Sequence, residues 1–489
     1  MLNKTLFFFF ISIVFCSLLN AQTITISKPI PLSSKTSKFK ILGKNNIGYW
    51  VRNYGKNEER IDVYDENLNL YKSKSLLVKR QNFSTVSFFL GTNNATIYYT
   101  EYKKRTMYLY ASSINERLET GAEISLDTTK YESFDDVASV SFASSINKSY
   151  HMLFIPMYEN AYFKKIKIIG TNGGAYSIYN KIIDINKNTY SASPEDAIVN
   201  NDGSTLLLIK YKSNINDSIL YMTYVLNKKG ELTYKTIINF DKNLFGDPYM
   251  LYNEKTKAFI INAFTSDMPK EGANYFTTST LNFDDANESK INHYKIDKQI
   301  LDDIYEGDAG KITGLYTFKI KKVILTNDNG VYVFTESFFK ENKEEISPDI
   351  LSLSPMNNFQ PSFNNTRTVS VYHYNNVLCL KINDSLRTFD YELIKKNQVS
   401  ENDNGAYSSF SIFNTGKNIK CLYNSEESSI YSLVENTFSE NTTNTKQVLL
   451  NQEKKGIQLI PKLSVQTSIN EIVLPSYRND DFKLIKIKY

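Results

Sequence analysis

Residue types that carry catalysis and covalent cross-links are scarce in this chain of 489 residues, which has only 3 Cys, 3 His and 1 Trp. The histidines, His151, His293 and His373, are widely separated, so the sequence shows no compact cluster of zinc ligands. It contains no Gly-x-Ser-x-Gly segment of the kind that serine hydrolases use. The segment Gly170–Gly174 has no lysine, so it predicts a hairpin turn and not a phosphate-binding loop. We therefore predict no catalytic, cofactor-binding or metal-binding residue, and no cofactor.

The few cysteines leave two alternatives open. Cys16 lies in the N-terminal segment, which we predict below to be removed as a signal peptide. Cys379 and Cys421 are therefore the pair that an oxidising compartment would allow to form one disulfide. Both lie inside apolar strand patterns, which favours two buried free thiols instead.

Long hydrophobic runs are missing except at the N-terminus. Lys4 followed by the apolar run Leu6–Leu19 and by Ala21 predicts a signal peptide over residues 1–21. The run is shorter than the roughly 20 residues that span a bilayer, so an uncleaved anchor is disfavoured, as is lipid attachment at Cys16. We expect an exported chain that is periplasmic, outer-membrane-associated or extracellular, with one domain over residues 22–489 and no transmembrane span.

Charge of one sign is also not concentrated anywhere. The formal net charge is +5, and lysines alternate with acidic or apolar residues along the chain. Nucleic-acid-binding proteins usually present a basic face, so we predict no nucleic-acid partner.

What the sequence does contain is strand formers and a recurring turn. It has 35 Tyr and 30 Phe, and turns of Asn, Asp, Glu, Lys or Gly follow apolar strand ends at positions 65, 115, 171, 227, 284, 383 and 435. The spacings are 50, 56, 56, 57, 99 and 52 residues. Strand-rich repeats of about this size are typical of β-propeller blades.

The turns also give a blade count. If each lies between the third and fourth strands of a blade, they mark seven blades, whose middle strands are continuous apolar runs such as Leu206–Ile209. Three further strands are predicted near Leu459–Ser464, Glu471–Leu474 and Phe482–Tyr489, and Thr23–Ile30 would supply the fourth. The prediction is an all-β fold, a single propeller of eight four-stranded blades closed by pairing of the N- and C-terminal strands. Seven blades are the alternative.

The interval of 99 residues predicts two additions to the repeat. A short helix is expected near Ile296–Tyr305, and a loop insertion at about 340–367 contains Pro348, Pro355 and Pro361. Insertions in repeat proteins often leave the binding face, so this one indicates a candidate functional surface, with a merely tolerated insertion as the alternative.

Several short sequence segments resemble those of a known group of proteins. The turn Asn327–Gly330 before a strand, the segments Tyr372–Val377 and Gly405–Phe410, and the final Lys486–Lys488 are together similar to secreted, β-propeller-like proteins of the Bacteroidota without assigned activity. The resemblance covers roughly residues 190–489. It implies a propeller fold and an envelope or extracellular location, and it transfers no site residue.

These observations favour an exported, non-catalytic propeller that binds a protein or glycan at the cell envelope. One alternative is an exported hydrolase of glycans or peptides with carboxylates gathered at the central channel. Another is a structural component of an envelope secretion or motility apparatus. The best acidic cluster, Asp302, Asp303, Glu306 and Asp308, is interpreted as a solvated helix face and turn.

Overall fold

The computed structural model describes most of the chain from residue 22 onward. The described residues are 22–32, 38–55, 58–76, 83–131, 140–159, 162–185, 190–215, 218–238, 240–268, 270–282, 290–306, 312–326, 330–346, 366–383, 388–427, 430–438 and 445–489. The predicted signal peptide at 1–21 and the three prolines of the predicted insertion lie outside them. Within these ranges, no helix combines the length and apolar character needed to cross a bilayer.

Eight antiparallel sheets form the fold, each built mainly from strands that are consecutive in the chain. The strands of each blade are given from first to fourth. Blade 1 contains β3 Lys38–Asn45, β4 Gly48–Gly55, β5 Glu58–Tyr64 and β6 Leu70–Ser75, and blade 2 contains β7 Phe83–Leu90, β8 Ala95–Lys103, β9 Thr106–Ile114 and β10 Thr120–Lys130. Blade 3 contains β11 Ser141–Ser144, β12 Tyr150–Glu159, β13 Tyr162–Asn172 and β14 Ser177–Asp184, and blade 4 contains β15 Tyr190–Val199, β16 Thr205–Ser213, β17 Ile219–Leu226 and β18 Leu232–Ile238.

Blades 5 to 8 include the departures from the simple repeat. Blade 5 contains β19 Asn243–Asn253, β20 Ala258–Ser266, β21 Tyr275–Asn282 and β22 Lys290–Lys295, and blade 6 contains β23 Phe318–Leu325, β24 Val331–Ile346, β25 Thr366–Asn383 and β26 Thr388–Ile394, with β27 Gln398–Glu401 added beside β25. Blade 7 contains β28 Phe410–Asn414, β29 Ile419–Glu427, β30 Ile430–Phe438 and β31 Thr445–Asn451. Blade 8 contains β32 Val465–Ser468, β33 Glu471–Arg478, β34 Asp481–Lys488 and β1 Thr23–Ile26, with β2 Ile30–Pro31 also paired with β34.

Apolar side chains between neighbouring blades hold the ring together. The described residues form eight buried clusters, and each takes its members from two adjacent blades, including blades 8 and 1. Trp50 of blade 1 packs with Ile97 of blade 2, and Leu422 of blade 7 packs with Ile472 of blade 8. Eight sheets with eight shared interfaces make a closed eight-bladed β-propeller, so the predicted fold is confirmed and the seven-bladed alternative is wrong.

The middle strands are buried on both faces, as their continuous apolar runs predict. All four residues of Leu206–Ile209 are at most 1% exposed, because neighbouring blades cover both sides of β16. The free thiols Cys379 and Cys421 are buried in the same way between blades 6 and 7. Of the two alternatives for these cysteines, the structure therefore has the buried free thiols.

The recurring turn has one local geometry in blades 1 to 4. In each, the side-chain oxygen of Asp65, Asn115, Asn172 or Asn227 accepts hydrogen bonds from the backbone N–H groups two and four residues later. The residue three positions on has a positive φ of 60° to 72° in all four turns. These four turns join third and fourth strands, as predicted, and the side-chain hydrogen bonds explain why Asn and Asp recur there. The predicted turn at 435 is wrong, because Glu435 lies inside β30 and pairs with strands on both sides. The predicted turn at 284 lies outside the described residues.

The terminal strands close the ring. β1 pairs antiparallel with β34, and β2 extends the same pairing, so the N-terminal segment supplies the fourth strand of blade 8 as predicted. The first strand of that blade is β32, which begins at Val465 and not at Leu459. Pro461 begins a single 3-10 turn, Pro461–Leu463, because proline fixes φ and has no N–H to donate to a strand.

The predicted insertion is partly strand. Residues 340–346 continue β24 and pair with the start of β25 in a long hairpin, so a loop beginning at 340 is wrong. The error arises because Lys340–Glu344 is polar on both faces of the hairpin and shows no apolar alternation. The second predicted addition is confirmed: helix α1 spans Lys298–Tyr305.

Candidate functional site

The additions to the repeat emerge on one side of the ring. We call this side the upper face: it carries the connections from second to third strands and from fourth strands to the next blade. The β24–β25 hairpin, α1, β27 and the segment 452–464 all lie in such connections, between blades 5 and 8. The recurring turns of blades 1 to 4 lie on the opposite, lower face.

The upper connections around blade 7 enclose a pocket of about 230 Å³, which we call the blade-7 pocket. Its walls come from the connection between blades 6 and 7, the ends of β29 and β30, and the connection between blades 7 and 8. The lining residues are Asn397, Gln398, Val399, Ser400, Asp403, Tyr407, Ser408, Asn424, Ser425, Tyr431, Gln452 and Gln458. Most carry an amide or a hydroxyl group, and Asp403 is the one carboxylate among them.

Asn424 lies in one wall of the blade-7 pocket and forms hydrogen bonds to the other two. Its Nδ2 donates to the carbonyl oxygens of Tyr407 and Leu459, both at 2.8 Å. Its Oδ1 accepts from Gln452 Nε2 at 2.8 Å, and its backbone carbonyl accepts from Gln398 Nε2 at 2.6 Å. Because these bonds link residues distant in sequence, the pocket walls are fixed in place without a ligand.

A buried charge cluster adjoins the pocket and contacts its lining residue Gln398. Lys396 Nζ donates to Glu336 Oε1 and to Gln398 Oε1, both at 2.8 Å, and the two charged side chains are at most 3% exposed. Ser409 Oγ donates to Glu336 Oε2 at 2.7 Å, and Lys321 lies 3.5 Å from the same oxygen. Burial lowers the pKa of Lys396, although Glu336 opposes that shift.

Ser409 has an unusual backbone. Its φ is 74°, in the left-handed region that residues other than glycine rarely adopt, and the residue is buried. Its N–H donates to Gln398 Oε1 at 2.8 Å while its hydroxyl binds Glu336. The connection from blade 6 to blade 7 is therefore anchored to β24 of blade 6 just before it enters β28.

The structure keeps the three histidines apart. His151 is fully buried in blade 3, where Tyr98 OH lies 2.8 Å from Nδ1. His293 in blade 5 lies 2.9 Å from Thr277 Oγ1, and His373 in the blade 6 hairpin lies 2.9 Å from Glu341 Oε1. Within the described ranges no group of three or more His, Cys, Asp or Glu side chains could hold a metal.

The acidic cluster lies on and just after α1. Asp303 is exposed and accepts from Tyr391 OH at 2.5 Å, and Glu306 pairs with Lys395 at 3.1 Å on the surface. These contacts fit a solvated helix face, and Asp308 lies outside the described residues. The described carboxylates of this cluster do not line the blade-7 pocket.

Sequence reasoning missed the blade-7 pocket. It used Tyr407 and Ser408 only as part of the segment Gly405–Phe410 that carries the resemblance, and the other lining residues come from separate connections with no motif in common. The signal that could have found it was the clustering of additions and polar connections after position 284.

No family model matches this chain, and no curated protein matches it. Among solved structures it is similar to the WD40 domain of SCAP from fission yeast, with 11% identity, coverage of 95% of this chain and 98% of that chain, and a TM-score of 0.40. It is also similar to a post-proline cleaving enzyme from Rickettsia typhi, with 11% identity, coverage of 91% and 58%, and a TM-score of 0.38. A protein from Lactobacillus plantarum has 9% identity, coverage of 88% and 96%, and a TM-score of 0.36. At these identities and TM-scores the likeness assigns no ligand, activity or residue to this chain.

Proposed function

We propose that this chain is an exported, non-catalytic β-propeller that binds a protein or glycan of the cell envelope through the upper face around blade 7. The observation that carries the proposal is the blade-7 pocket, whose amide and hydroxyl lining is fixed by hydrogen bonds of Asn424 and Gln452. Fixed polar groups bind with little ordering cost, which suits recognition. Export is supported by the N-terminal composition.

The arrangement of charge also supports a binding role. The most buried ion pair near the pocket, Glu336 with Lys396, is satisfied by internal partners and is not part of the pocket lining. Beside the pocket, the β24–β25 hairpin extends about eight residues beyond Phe338, roughly 25 Å at strand rise, which gives a partner a second point of contact.

The proposal is tested by co-sedimentation of purified residues 22–489 with envelope fragments of the source organism. The fragments are used untreated, protease-treated, or oxidised with periodate, which destroys vicinal diols of glycans. We expect binding that one treatment removes, which identifies the partner as protein or glycan. Failure to bind untreated fragments would overturn the proposal.

A shortened hairpin locates the interaction. Asn342 and Ser370 are directly opposite, so a two-residue Asn-Gly turn joining them replaces residues 343–369 and keeps β27 paired with β25. We expect this variant to bind more weakly, while Tyr176→Ala, at an exposed lower-face turn, binds as the parent does. If both variants bind equally well, the hairpin is not part of the proposed binding surface.

An exported hydrolase is the second candidate, because one contact specifically favours it. Ser409 combines a strained backbone with a hydroxyl bound to a buried carboxylate, and strain of this kind concentrates at active sites. Turnover of a polysaccharide or peptide that Ser409→Ala abolishes would establish this candidate. We expect no turnover from the parent protein.

A further inference from the structure

We infer that the blade-7 pocket is a subsite for a single neutral saccharide unit. The inference rests on the proposed function and names the ligand class for the pocket. It depends on the pocket's size, on the hydrogen-bonding groups of its walls, on the apolar residues beside them and on the charge of its lining.

The size admits one small unit. Pockets for drug-sized ligands are roughly 300–1,000 Å³, and this one is about 230 Å³. It is also open to the upper face, so the next units of a longer chain could continue outward beside the projecting hairpin. A folded protein domain could contact the rim but could insert only a side chain.

The walls match the needs of sugar hydroxyls. A hydroxyl both donates and accepts, and a side-chain amide offers both functions within one group. Five of the lining residues are Asn or Gln. The side-chain amides of Gln398, Asn424 and Gln452 form the internal hydrogen bonds that fix the walls. Among the described residues no such bond involves the side-chain amides of Asn397 and Gln458, so these two can bind sugar hydroxyls. Ser400, also in the wall, has a buried Oγ without a hydrogen-bond partner among the described residues.

Apolar surface accompanies these polar groups. Tyr431 is 44% exposed and Val399 is 53% exposed, and both line the pocket. A pyranose ring has C–H groups on its faces and hydroxyls at its edge, so an exposed tyrosine ring can cover a face while the amides bind the edge. Tyrosine is suited to such sites because an apolar ring carries a polar end.

The charge of the lining selects against acidic sugars. Asp403 carries the one carboxylate, its Oδ1 accepts from Gly405 N at 2.8 Å, and no lysine or arginine is among the lining residues. Lys462, close in the fold, donates to the carbonyl oxygens of Asn404 and Gly405 and does not line the pocket. Lys462 interacts with the charge of Asp403 from outside the lining, so a uronate or a phosphorylated sugar would contact a carboxylate and no cationic side chain among the lining residues. A neutral unit can instead donate hydroxyls to Asp403.

The test is calorimetric titration of purified residues 22–489 with methyl glycosides of glucose, galactose, mannose and N-acetylglucosamine. Glucuronic acid and a short neutral peptide are titrated separately, as representatives of the two alternative ligand classes, acidic sugars and peptides. We expect at least one neutral glycoside to bind and glucuronic acid not to bind. Preference for glucuronic acid or the peptide would overturn the inference, as would no binding of any probe. Neither result would overturn the proposed function, which the envelope test decides separately.

Two substitutions locate the saccharide. Tyr431→Ala removes the exposed ring, and Asp403→Asn keeps the acceptor for Gly405 N but removes the charge. We expect each to weaken binding roughly tenfold. The matched control is Tyr71→Ala, a tyrosine 59% exposed on the outer strand of blade 1, which should bind as the parent does. Thermal unfolding of all three variants checks that they are folded, and unchanged affinity in both pocket variants would place the sugar elsewhere.

Discussion

Thr23 lies opposite Lys488, so the first and last described strands of the chain are neighbours in one sheet. The pairing continues to Ile26 opposite Ile485, and Ser27 exchanges hydrogen bonds of 2.9 Å with the backbone of Leu484. Closure of the ring therefore depends on a segment of eleven described residues, 22–32, held by strand pairing and by its apolar side chains.

Deletion of residues 22–32 is expected to destabilise the propeller strongly. The segment packs Ile24 and Ile26 against the cluster between blades 7 and 8, and it buries Leu32 between blades 8 and 1. Their lost burial corresponds to about 4 kcal/mol in the free energy of unfolding, and β34 becomes an exposed edge. Urea denaturation followed by circular dichroism measures the loss. An unchanged midpoint would show that the pairing does not hold the ring closed.

A circular permutant is the matched control for this deletion. Because Thr23 and Lys488 are paired, an Asn-Gly linker from Tyr489 to Gln22 closes a four-residue hairpin loop. New termini are placed between Lys228 and Lys229, in an exposed lower-face turn. We expect the permutant to fold with stability near that of the parent, and failure to fold would contradict the observed register.

Breaking the buried pair of Glu336 and Lys396 is expected to cost far more than breaking a surface pair. Lys396→Met leaves Glu336 buried with Lys321 at 3.5 Å, and we expect a loss of about 3–5 kcal/mol in the free energy of unfolding. Lys395→Met is the control next in sequence, because its pair with Glu306 is 61% and 73% exposed and is worth at most about 1 kcal/mol.

The double variant distinguishes the interaction between Glu336 and Lys396 from the contacts that each makes with other residues. Glu336→Gln together with Lys396→Met removes both charges, so its loss should be smaller than the sum of the two single losses. Denaturant midpoints of the four proteins give the coupling energy. Additive losses would mean that Glu336 and Lys396 do not stabilise each other in the folded chain.

His151 is expected to make stability fall in acid. Burial lowers its pKa from 6.5 to about 4, with Phe89 and Phe142 packed against the ring. The unfolded chain binds a proton below pH 6.5 and the folded chain does not until about pH 4, so stability declines as pH falls between those values. The contribution lost is up to about 3 kcal/mol.

The measurement is the denaturation midpoint of the parent and of His151→Gln from pH 7 to pH 4. Glutamine keeps a polar partner for Tyr98 OH but does not titrate. The variant is expected to be less stable at pH 7 and to have a flatter dependence on pH. An identical slope in both proteins would assign the acid sensitivity to other groups.

Local chemistry explains which features the sequence could predict. The turns at Asp65 and Asn115 are encoded by side chains that bind their own backbone, and the doubly covered strand Leu206–Ile209 shows as an apolar run. The terminal pairing followed from counting strands. Each of these features depends on neighbours in the sequence or on the number of repeats.

The features that sequence reasoning missed depend on distant contacts. The strand over Lys340–Glu344 is polar on both sides, so pairing with β25 and not periodicity defines it. The blade-7 pocket joins Asp403, Asn424 and Gln458 from three connections, and no spacing relates them. Ser409 adopts its φ of 74° because Glu336 and Gln398 hold both its hydroxyl and its N–H.

Cys379 and Cys421 are expected to resist alkylation in the folded protein and to react fully after unfolding. Burial raises the pKa of both thiols, and each is at most 1% exposed between blades 6 and 7. The thiolate is the reactive form, so both its scarcity and its inaccessibility slow the reaction. Tyr71→Cys supplies an exposed thiol in the same protein as an internal reference. Mass spectrometry of residues 22–489 with this substitution, which lack Cys16, should show one label on the folded variant and three after denaturation without reductant. One label after denaturation would instead reveal a disulfide between Cys379 and Cys421, and three labels on the folded chain would contradict the packing between these blades.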